Sequence, residues 1–223
     1  MKEAVIQFPG SNFDRDAFRA VRGPLGLDCE FVWHKETSLQ GFDAAILPGG
    51  FSYGDYLRCG AIARFSPVME ALVRFAGEGR RVLGICNGFQ VLCESGLLPG
   101  ALIQNDNMKF ICQDQPLEVE DSNGQFNVAK LGSDITIPIA HGEGNYRIDD
   151  SGLKNLRRNR QVLFRYSGAN GGTNPNGSLE NIAGVRNEAG NVYGMMPHPE
   201  RVVEPFHPNL DGIKVLEAFF SLS

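Results

Sequence analysis

Residues 82–96 read VLGICNGFQVLCESG, and this stretch decides how the rest of the chain is interpreted. It opens with a short apolar run that predicts a buried strand. Gly84, Cys86 and Gly88 then alternate through a tight turn, and apolar residues at helical spacing continue to Gly96, where we expect a helix to end. A strand, a sharp turn and a helix, with one nucleophilic side chain at the turn, is the arrangement called a nucleophile elbow.

Cys86 has the surroundings that a reactive thiol requires. The glycines two residues to either side remove side chains that would collide with a strained turn. The turn also places the sulfur at a helix N-terminus, where partial positive charge favours the thiolate. The alternative is a buried structural cysteine between two packing glycines, so the choice depends on partners elsewhere in the chain.

The composition restricts the classes of function. A chain of 223 residues is long enough for a sizeable core, and a net charge of −5 without a basic block argues against nucleic acid as a partner. The five cysteines are scattered without a CxxC pair, which predicts neither a disulfide framework nor a metal site. The N-terminal apolar run is too short for a signal peptide and no stretch is long enough for a membrane helix, so we expect a cytoplasmic protein without a membrane partner.

The order of the predicted elements indicates the fold class. Up to Gly96 the pattern is β-α-β-β-α-β-α, which predicts a doubly wound, mostly parallel sheet flanked by helices, as in flavodoxin-like folds. In the second half we predict an antiparallel extension and a last helix that begins near Asp211. The extension is built from short strands at 109–112, 117–119, 126–131, 135–140 and 162–166 and a hairpin within 181–196.

Two local signals refine this second half. Pro138 lies inside a predicted strand, which favours an edge position or a bulge. Residues 168–178 are rich in Gly and Asn and are predicted to form a long exposed turn. No linker or repeat interrupts the sequence, so we expect a single domain over residues 1–223.

His198 is the first candidate for the base that a cysteine nucleophile needs. It lies in the segment Met196-Pro197-His198-Pro199-Glu200, directly after a predicted strand. Because a residue before proline is restricted to extended conformations, we expect His198 and Glu200 to share a face. A carboxylate beside the imidazole would fix its tautomer, so Cys86, His198 and Glu200 form a candidate triad. A rigid proline turn capped by His198 is the structural alternative.

His141 is a rival base, since it also follows a strand and has a carboxylate, Glu143, two residues on. The glycines around it suggest a close approach of the backbone, with substrate as a candidate for what approaches. The remaining histidines, His34 and His207, are interpreted as structural or solvated.

A thioester-forming site also needs an oxyanion hole built from backbone N–H groups. The segment Pro48-Gly49-Gly50-Phe51 ends a strand of the predicted sheet, and ligands bind beyond such strand ends. Gly50 or Phe51 is a candidate for one donor, and Asn87 for the other. A phosphate-binding loop is the competing interpretation, but the chain contains no GxGxxG or Walker lysine pattern.

At this point the motifs resemble a known family. GICNGFQ at 84–90 is similar to the G-x-C-x-G-x-Q elbow of class I glutamine amidotransferases, and His198-Pro199-Glu200 is similar to their histidine–glutamate pair. Longer segments at 48–65, 141–145 and 194–201 resemble the purine-pathway members of that family. The resemblance extends from the first strand to the final helix.

The resemblance implies a role for each matched residue. Cys86 would attack the side-chain amide of L-glutamine to give a thioester and ammonia, with His198 as acid and base and Glu200 as its orienting partner. The oxyanion would be held near Gly50 and Asn87. Further substrate contacts would come from Gln90, and from Gly142 and Glu143 at the amino-acid end of the substrate.

The resemblance also implies partners. The ammonia would pass to a large synthetase subunit that uses ATP to convert formylglycinamide ribonucleotide to the amidine, in a complex with a small bridging subunit. ATP and magnesium would then bind the partner, with no cofactor or metal on this chain. Two alternatives stay open, namely a different cysteine amidohydrolase of the same fold and a non-catalytic regulator that senses oxidants through Cys86.

Overall fold

The computed structural model describes residues 1–120, 126–168 and 174–221, and within them the chain forms eleven strands and five α-helices. The strands are β1 (Lys2–Gln7), β2 (Asp28–Trp33), β3 (Ala44–Leu47), β4 (Arg81–Ile85), β5 (Ala101–Ile103), β6 (Ile111–Val119), β7 (Asp134–His141), β8 (Asn145–Arg147), β9 (Val162–Tyr166), β10 (Ile182–Arg186) and β11 (Val192–Met195). The helices are α1 (Asp14–Arg22), α2 (Pro67–Gly77), α3 (Asn87–Glu94), α4 (Asp150–Arg158) and α5 (Asp211–Phe220).

Nine strands form one sheet in the order β2-β1-β3-β4-β11-β10-β9-β6-β7, and β5 pairs with β8 in a separate ribbon. From β2 to β11 neighbouring strands are parallel. From β11 to β7 they are antiparallel. The predicted fold class, a flavodoxin-like α/β fold with an antiparallel extension in the second half, is therefore confirmed.

The central strands are apolar throughout because both faces of the sheet are covered. β3 is AAIL and every residue in it is buried, as is typical of a parallel strand between two helical layers. Helix α3 lies so close to the sheet that a methyl group at Gly88 would come within 3.0 Å of the Leu47 backbone. A methyl group at Gly84 would lie 2.7 Å from the Gly88 carbonyl carbon. The glycines of the elbow thus allow strand and helix to pack directly.

The strand predicted at 126–131 is wrong. Val128–Lys130 forms a short 3-10 turn instead. Its apolar pattern comes from packing, since the ring centroid of Phe126 lies 5.4 Å from that of Tyr193. The Asn127 N–H also donates to the Ala218 carbonyl at 3.1 Å, which anchors this segment to α5.

Two other predicted strands, at 109–112 and 117–119, are parts of the single strand β6. Pro116 lies inside that strand, and β9 begins to pair only at Leu117. Helix α4 was not predicted, because its sequence DSGLKNLRR is largely polar and buries only Leu156. Asp149 caps it by accepting the Gly152 N–H at 2.7 Å.

The position predicted for Pro138 agrees with the structure, since β7 forms one edge of the main sheet. The turn predicted at 168–178 lies partly outside the described residues. Near its end Asn176 and Ser178 are only 1% and 2% exposed, so that part is buried rather than exposed. None of the helices in the described ranges is long and apolar enough to span a bilayer. A single domain over residues 1–223 stays a prediction.

Candidate active site

Cys86 lies in the sharp turn between β4 and α3. Its φ of 50° and ψ of −105° are strained for a residue with a side chain. The Cys86 N–H donates to the Met195 carbonyl at 2.8 Å, which binds the turn to the neighbouring strand β11. The residue is 5% exposed and stands directly before the first turn of α3. The sulfur thus lies at the N-terminal end of a helix, as the sequence pattern predicts.

His198 follows β11, so the parallel pairing of β4 and β11 brings it to the same end of the sheet as Cys86. Its Nδ1 lies 2.7 Å from Oε1 of Glu200, and both side chains are almost fully buried. The expectation of an extended chain through this pair is wrong, since Pro199–Arg201 forms a 3-10 turn. The turn, rather than strand alternation, brings the carboxylate to the imidazole.

The charges around His198 favour its protonated form. Burial acts to lower the pKa of His198, but the negative charge of Glu200 and the nearby Cys86 outweigh burial and raise the pKa to about 10. Nε2 of His198 is buried and makes no hydrogen bond of standard geometry to a described residue, although Cys86 is close enough to act on the ring. The pair is therefore arranged as an imidazolium beside a sulfur.

His141 has different surroundings. Its Nδ1 lies 3.2 Å from Oδ1 of Asn105, an amide rather than a carboxylate. Glu143 does not orient the ring, because its Oε2 accepts the Cys59 N–H at 3.3 Å. Burial, followed by the charge of His198, lowers the pKa of His141 to about 4. The geometry thus gives His198, and not His141, the carboxylate partner of a triad.

The other two histidines have structural contacts, in agreement with their interpretation from the sequence. His34 is 7% exposed, and its Nδ1 lies 2.7 Å from the Tyr53 hydroxyl. His207 accepts the N–H groups of Val203 and Glu204, each at 3.0 Å.

The hydrogen bonds that the candidate oxyanion donors already make distinguish the occupied donors from the free ones. The Phe51 N–H already donates to the Gly10 carbonyl at 3.2 Å, whereas the Gly50 N–H has no partner among the described residues. Gly50 has a φ of 137°, and a methyl group there would lie 2.7 Å from the Asn12 nitrogen, so only glycine fits. The Asn87 N–H belongs to the first turn of α3, where the helix provides no acceptor. Gly50 and Asn87 are the two open donors.

Cys86 opens onto a cavity of about 230 Å³. Its lining includes the substrate contacts that the family resemblance implies, namely Gln90, Gly142 and Glu143, together with Gly50. Both ends of the Gln90 amide are held, since Oε1 accepts from Asn87 Nδ2 at 2.9 Å and Nε2 donates to the Glu143 carbonyl at 2.6 Å. Gln90 thus fixes the loop that carries Glu143 as well as lining the cavity.

Asp55 is a cavity residue that the sequence reasoning missed. It lies in the loop after β3, accepts a hydrogen bond from Asn87 Nδ2 at 3.3 Å, and lines the cavity with Glu143. Burial, and then the charge of Glu143, raises the pKa of Asp55. Its φ of 53° is left-handed, so no strand or helix pattern points to its position. The one signal in the sequence that could have indicated Asp55 is its position in the loop segment between Gly50 and Gly60.

The edge strand β7 supplies backbone acceptors to the site. The Pro138 carbonyl accepts the His198 N–H at 2.8 Å, and the Ala140 carbonyl accepts the Cys86 thiol at 3.6 Å. Alternate carbonyls of a strand point to the same edge, so both face the outer side of β7. Gly142, two residues further on, lines the cavity.

A larger cavity of about 550 Å³ lies behind the His198–Glu200 pair and is lined by Asp16, Arg19 and Arg201 among others. It does not reach Cys86, so the smaller cavity is the better candidate for the reacting atoms. Across the three described ranges, no group of His, Cys, Asp or Glu side chains is arranged to hold a metal ion. All five cysteines are unpaired.

The fold and the elbow define an α/β protein with a cysteine at the carboxyl end of a parallel sheet. Residues 1–214 match the family model of the CobB/CobQ-like glutamine amidotransferase domain. The chain therefore belongs to that family and is the glutamine amidotransferase component of an enzyme.

Known structures agree with this assignment. A chain in the structure of PurLQS from Thermotoga maritima is 44% identical over 99% of this chain and 97% of that chain, with a TM-score of 0.87. The resemblance to the purine-pathway members is thereby confirmed. A putative GMP synthase protein from Thermoplasma acidophilum is 18% identical over 99% of this chain and 92% of that chain, with a TM-score of 0.64. The CTPS glutaminase domain of Trypanosoma brucei with bound acivicin is 12% identical over 100% of this chain and 95% of that chain, with a TM-score of 0.62. These last two share the fold alone.

Proposed function

We propose that this chain hydrolyses L-glutamine to glutamate and ammonia through a thioester on Cys86. The observation that carries the proposal is the strained cysteine at the start of α3 beside a buried His198–Glu200 pair. Neither a structural cysteine nor a structural histidine needs that combination of backbone strain and buried charge.

In the proposed reaction each step is assigned to named groups of this site. The Cys86 sulfur attacks the amide carbon, and the N–H groups of Gly50 and Asn87 hold the negative oxygen that forms. The C–N bond breaks as His198 gives its proton to the leaving nitrogen, which departs as ammonia. Neutral His198 then takes a proton from water, and the hydroxide attacks the thioester, releasing glutamate and the thiolate. Glu200 holds the imidazole through both steps.

The cavity also suits the amino-acid end of the substrate. Asp55 and Glu143 place two carboxylates in its wall, and no ion pair with a described residue engages either of them. A carboxylate pair attracts an ammonium group, which glutamine carries at its α-carbon. In this proposal Gln90 and Gly142 complete the wall, and Gln90 keeps Glu143 in position.

We further propose that the ammonia is passed to a large synthetase subunit, with a small bridging subunit in the same complex, as in phosphoribosylformylglycinamidine synthase. That partner would bind ATP and magnesium and would make formylglycinamidine ribonucleotide in the cytoplasm, during purine synthesis. The similarity to a chain of PurLQS supports this proposal. Exposed apolar side chains at Phe51, which lines the cavity, and at Tyr56 and Leu57, which follow the lining residue Asp55, suit a docking surface.

The test of the chemistry is covalent labelling with a diazoketone analogue of glutamine, followed by mapping of the adduct by mass spectrometry. We expect one adduct on Cys86, blocked by excess glutamine, absent in Cys86→Ala and at least 100-fold slower in His198→Ala. Cys112→Ala is the matched control, because that thiol is exposed and does not line the cavity into which Cys86 opens. Labelling that is spread over other cysteines, or insensitive to glutamine, would contradict the proposal.

Partner dependence is tested separately. A free glutaminase would waste glutamine, so we expect the isolated chain to be slow and the synthetase subunits to accelerate it. Residues 51–60 contain three left-handed non-glycine residues, Tyr53, Asp55 and Leu57, and are the segment that docking would order. Equal hydrolysis rates with and without the partners would refute this part alone.

A further inference from the structure

The aromatic ring of Phe13 lies against the candidate base. Its centroid is 4.8 Å from that of the His198 imidazole, at an interplanar angle of 57°. The guanidinium carbon of Arg201 lies 4.9 Å from the same ring centroid. Phe13 also lines the cavity into which Cys86 opens. The ring therefore contacts both His198 and the cavity into which Cys86 opens.

Three chain segments fix this contact. Phe13 stands at the N-terminal end of α1, where its carbonyl accepts the Ala17 N–H at 3.0 Å and its N–H donates to the Gly49 carbonyl at 3.4 Å. Because Gly49 has no side chain, the rings of Phe13 and His198 can both occupy the space next to its Cα. A methyl group there would lie 2.6 Å from Cε1 of His198 and 3.2 Å from Cδ2 of Phe13. The imidazole is thus held between a bare backbone and an aromatic ring.

An aromatic ring favours a cation over a neutral group, because its face carries partial negative charge. His198 must be an imidazolium when it protonates the leaving nitrogen. We propose that Phe13 is a positioning residue, which holds the His198 ring toward Cys86 and favours the imidazolium. The catalytic consequence of this inference rests on the proposed function.

Other charged groups also affect the protonation of the His198 imidazole, and the effect of Phe13 adds to theirs. Glu200 and Cys86 favour the cation, as does Asp16 from α1, whereas burial disfavours it. His141 lies close enough to interact electrostatically with His198, and burial keeps it neutral. Arg201 contacts Phe13 and acts electrostatically on Asp16. Removal of Phe13 alone leaves all of these charges unchanged.

The test compares Phe13→Leu, Phe13→Tyr and Phe18→Leu across a range of pH. Phe18 is the matched control, because it lies in α1, which Phe13 directly precedes, and also contacts an aromatic ring and an arginine, Phe31 and Arg22. We expect the alkaline limb of kcat/KM to move to lower pH by about one unit in Phe13→Leu. Phe13→Tyr keeps the ring and should keep the limb, and Phe18→Leu should not move it. Melting temperatures of all three establish that they fold.

A second measurement does not depend on activity. The chain has four histidines, so a protein labelled with 13C at histidine Cε1 gives four signals, and His198→Asn identifies the one that matters. We expect that signal to titrate about one pH unit lower in Phe13→Leu than in the wild type. An unchanged midpoint in folded Phe13→Leu would overturn the inference. A shifted midpoint in a protein that does not hydrolyse glutamine would refute the proposed function alone.

Discussion

At the scale of single residues, Gly49 has a steric role that can be tested without changing any reacting group. A methyl group there would lie 2.6 Å from Cε1 of His198, closer than real Cβ atoms approach, so Gly49→Ala must displace the imidazole. We expect diazoketone labelling of Cys86 to slow by about 100-fold, and the overpacking to lower the melting temperature by several degrees without preventing folding. Gly77→Ala is the control, since a methyl group there meets nothing within 4 Å. Labelling at the wild-type rate in Gly49→Ala would contradict the contact.

Asp55 makes a second prediction at this scale. Asp55→Asn keeps an acceptor for Asn87 Nδ2 and removes the charge proposed to bind the α-ammonium group. The loss of one charged hydrogen bond, about 1.5–3 kcal/mol, predicts a KM for glutamine that is about 10–100-fold higher with a similar kcat. Asp150→Asn, an exposed residue at the start of α4, should match the wild type.

The pH dependence of that KM follows from the raised pKa of Asp55. Its carboxylate exists above this pKa and is lost as the pH falls through it, so glutamine binding by the wild type should weaken toward acid. The part of that weakening due to Asp55 should be missing in Asp55→Asn. Parallel KM curves for the two proteins would argue against a contact with the ammonium group.

The grouping of Cys86, His198 and Glu200 could be predicted from the sequence because each residue carries a local signal. Cys86 has a strand, a helix and two glycines around it, and His198 has Glu200 two residues away. Asp55 and Phe13 have no such signal. Asp55 reaches the cavity through a left-handed backbone, and Phe13 through the meeting of three distant segments. Their positions depend on tertiary packing, which periodicity does not encode.

At the scale of elements, the Tyr53 hydroxyl makes two of the hydrogen bonds that hold the loop after β3. Oη of Tyr53 lies 2.7 Å from Nδ1 of His34 and 2.9 Å from Oγ of Ser66. Tyr53→Phe removes both bonds, a loss of about 1–2 kcal/mol to this loop. We expect faster proteolytic cleavage within residues 51–60 and slower labelling of Cys86. Tyr56→Phe is the control, because that ring is 74% exposed in the same loop.

The same contact gives the loop a dependence on pH. Burial, and then Lys35, lowers the pKa of His34 below its usual value of 6.5. The folded state therefore favours the neutral ring, and its stabilisation is lost as the pH falls below about 6.5. Cleavage of wild-type residues 51–60 should accelerate over that range. A rate that is independent of pH, or equal in Tyr53→Phe and Tyr56→Phe, would exclude this anchor.

Element boundaries show where pattern reading succeeds and fails. The parallel half was predicted because fully buried strands leave continuous apolar runs, such as AAIL in β3. The turn at Val128–Lys130 was mistaken for a strand because an apolar run also arises when a loop packs on the core. Helix α4 was missed because a surface helix that buries one residue has almost no apolar stripe.

At the scale of the whole molecule, one buried carboxyl group affects the stability of the fold. Glu3 in β1 is fully buried, and neither carboxyl oxygen makes a hydrogen bond of standard geometry to a described residue. Burial, and then Asp43, raises the pKa of Glu3 from 4.5 to about 7. An unfolded glutamate ionises first, so the free energy of unfolding should fall as the pH rises from about 4.5 to 7.

Glu3→Gln removes that ionisation and should therefore stabilise the protein only above about pH 4.5, where the unfolded wild type is charged. We expect a gain of about 2–3 kcal/mol in urea unfolding at pH 8, and none near pH 4. Glu30→Gln on the neighbouring strand β2 serves as the control, because its carboxylate is exposed and paired with Lys2. An identical difference between Glu3→Gln and wild type at both pH values would show that folding does not raise the pKa of Glu3.

The outer edge of β7 has a consequence for the tolerated length of the chain. The carbonyls of Pro138 and Ala140 reach His198 and Cys86 because the two residues are spaced by two along the strand. Insertion or deletion of one residue just before Pro138 would turn both carbonyls toward β6 at once. A random insertion library should therefore accept added residues in the exposed helix α4 and reject them in β7 next to Pro138 and Ala140. The strand works as a reading frame for the site.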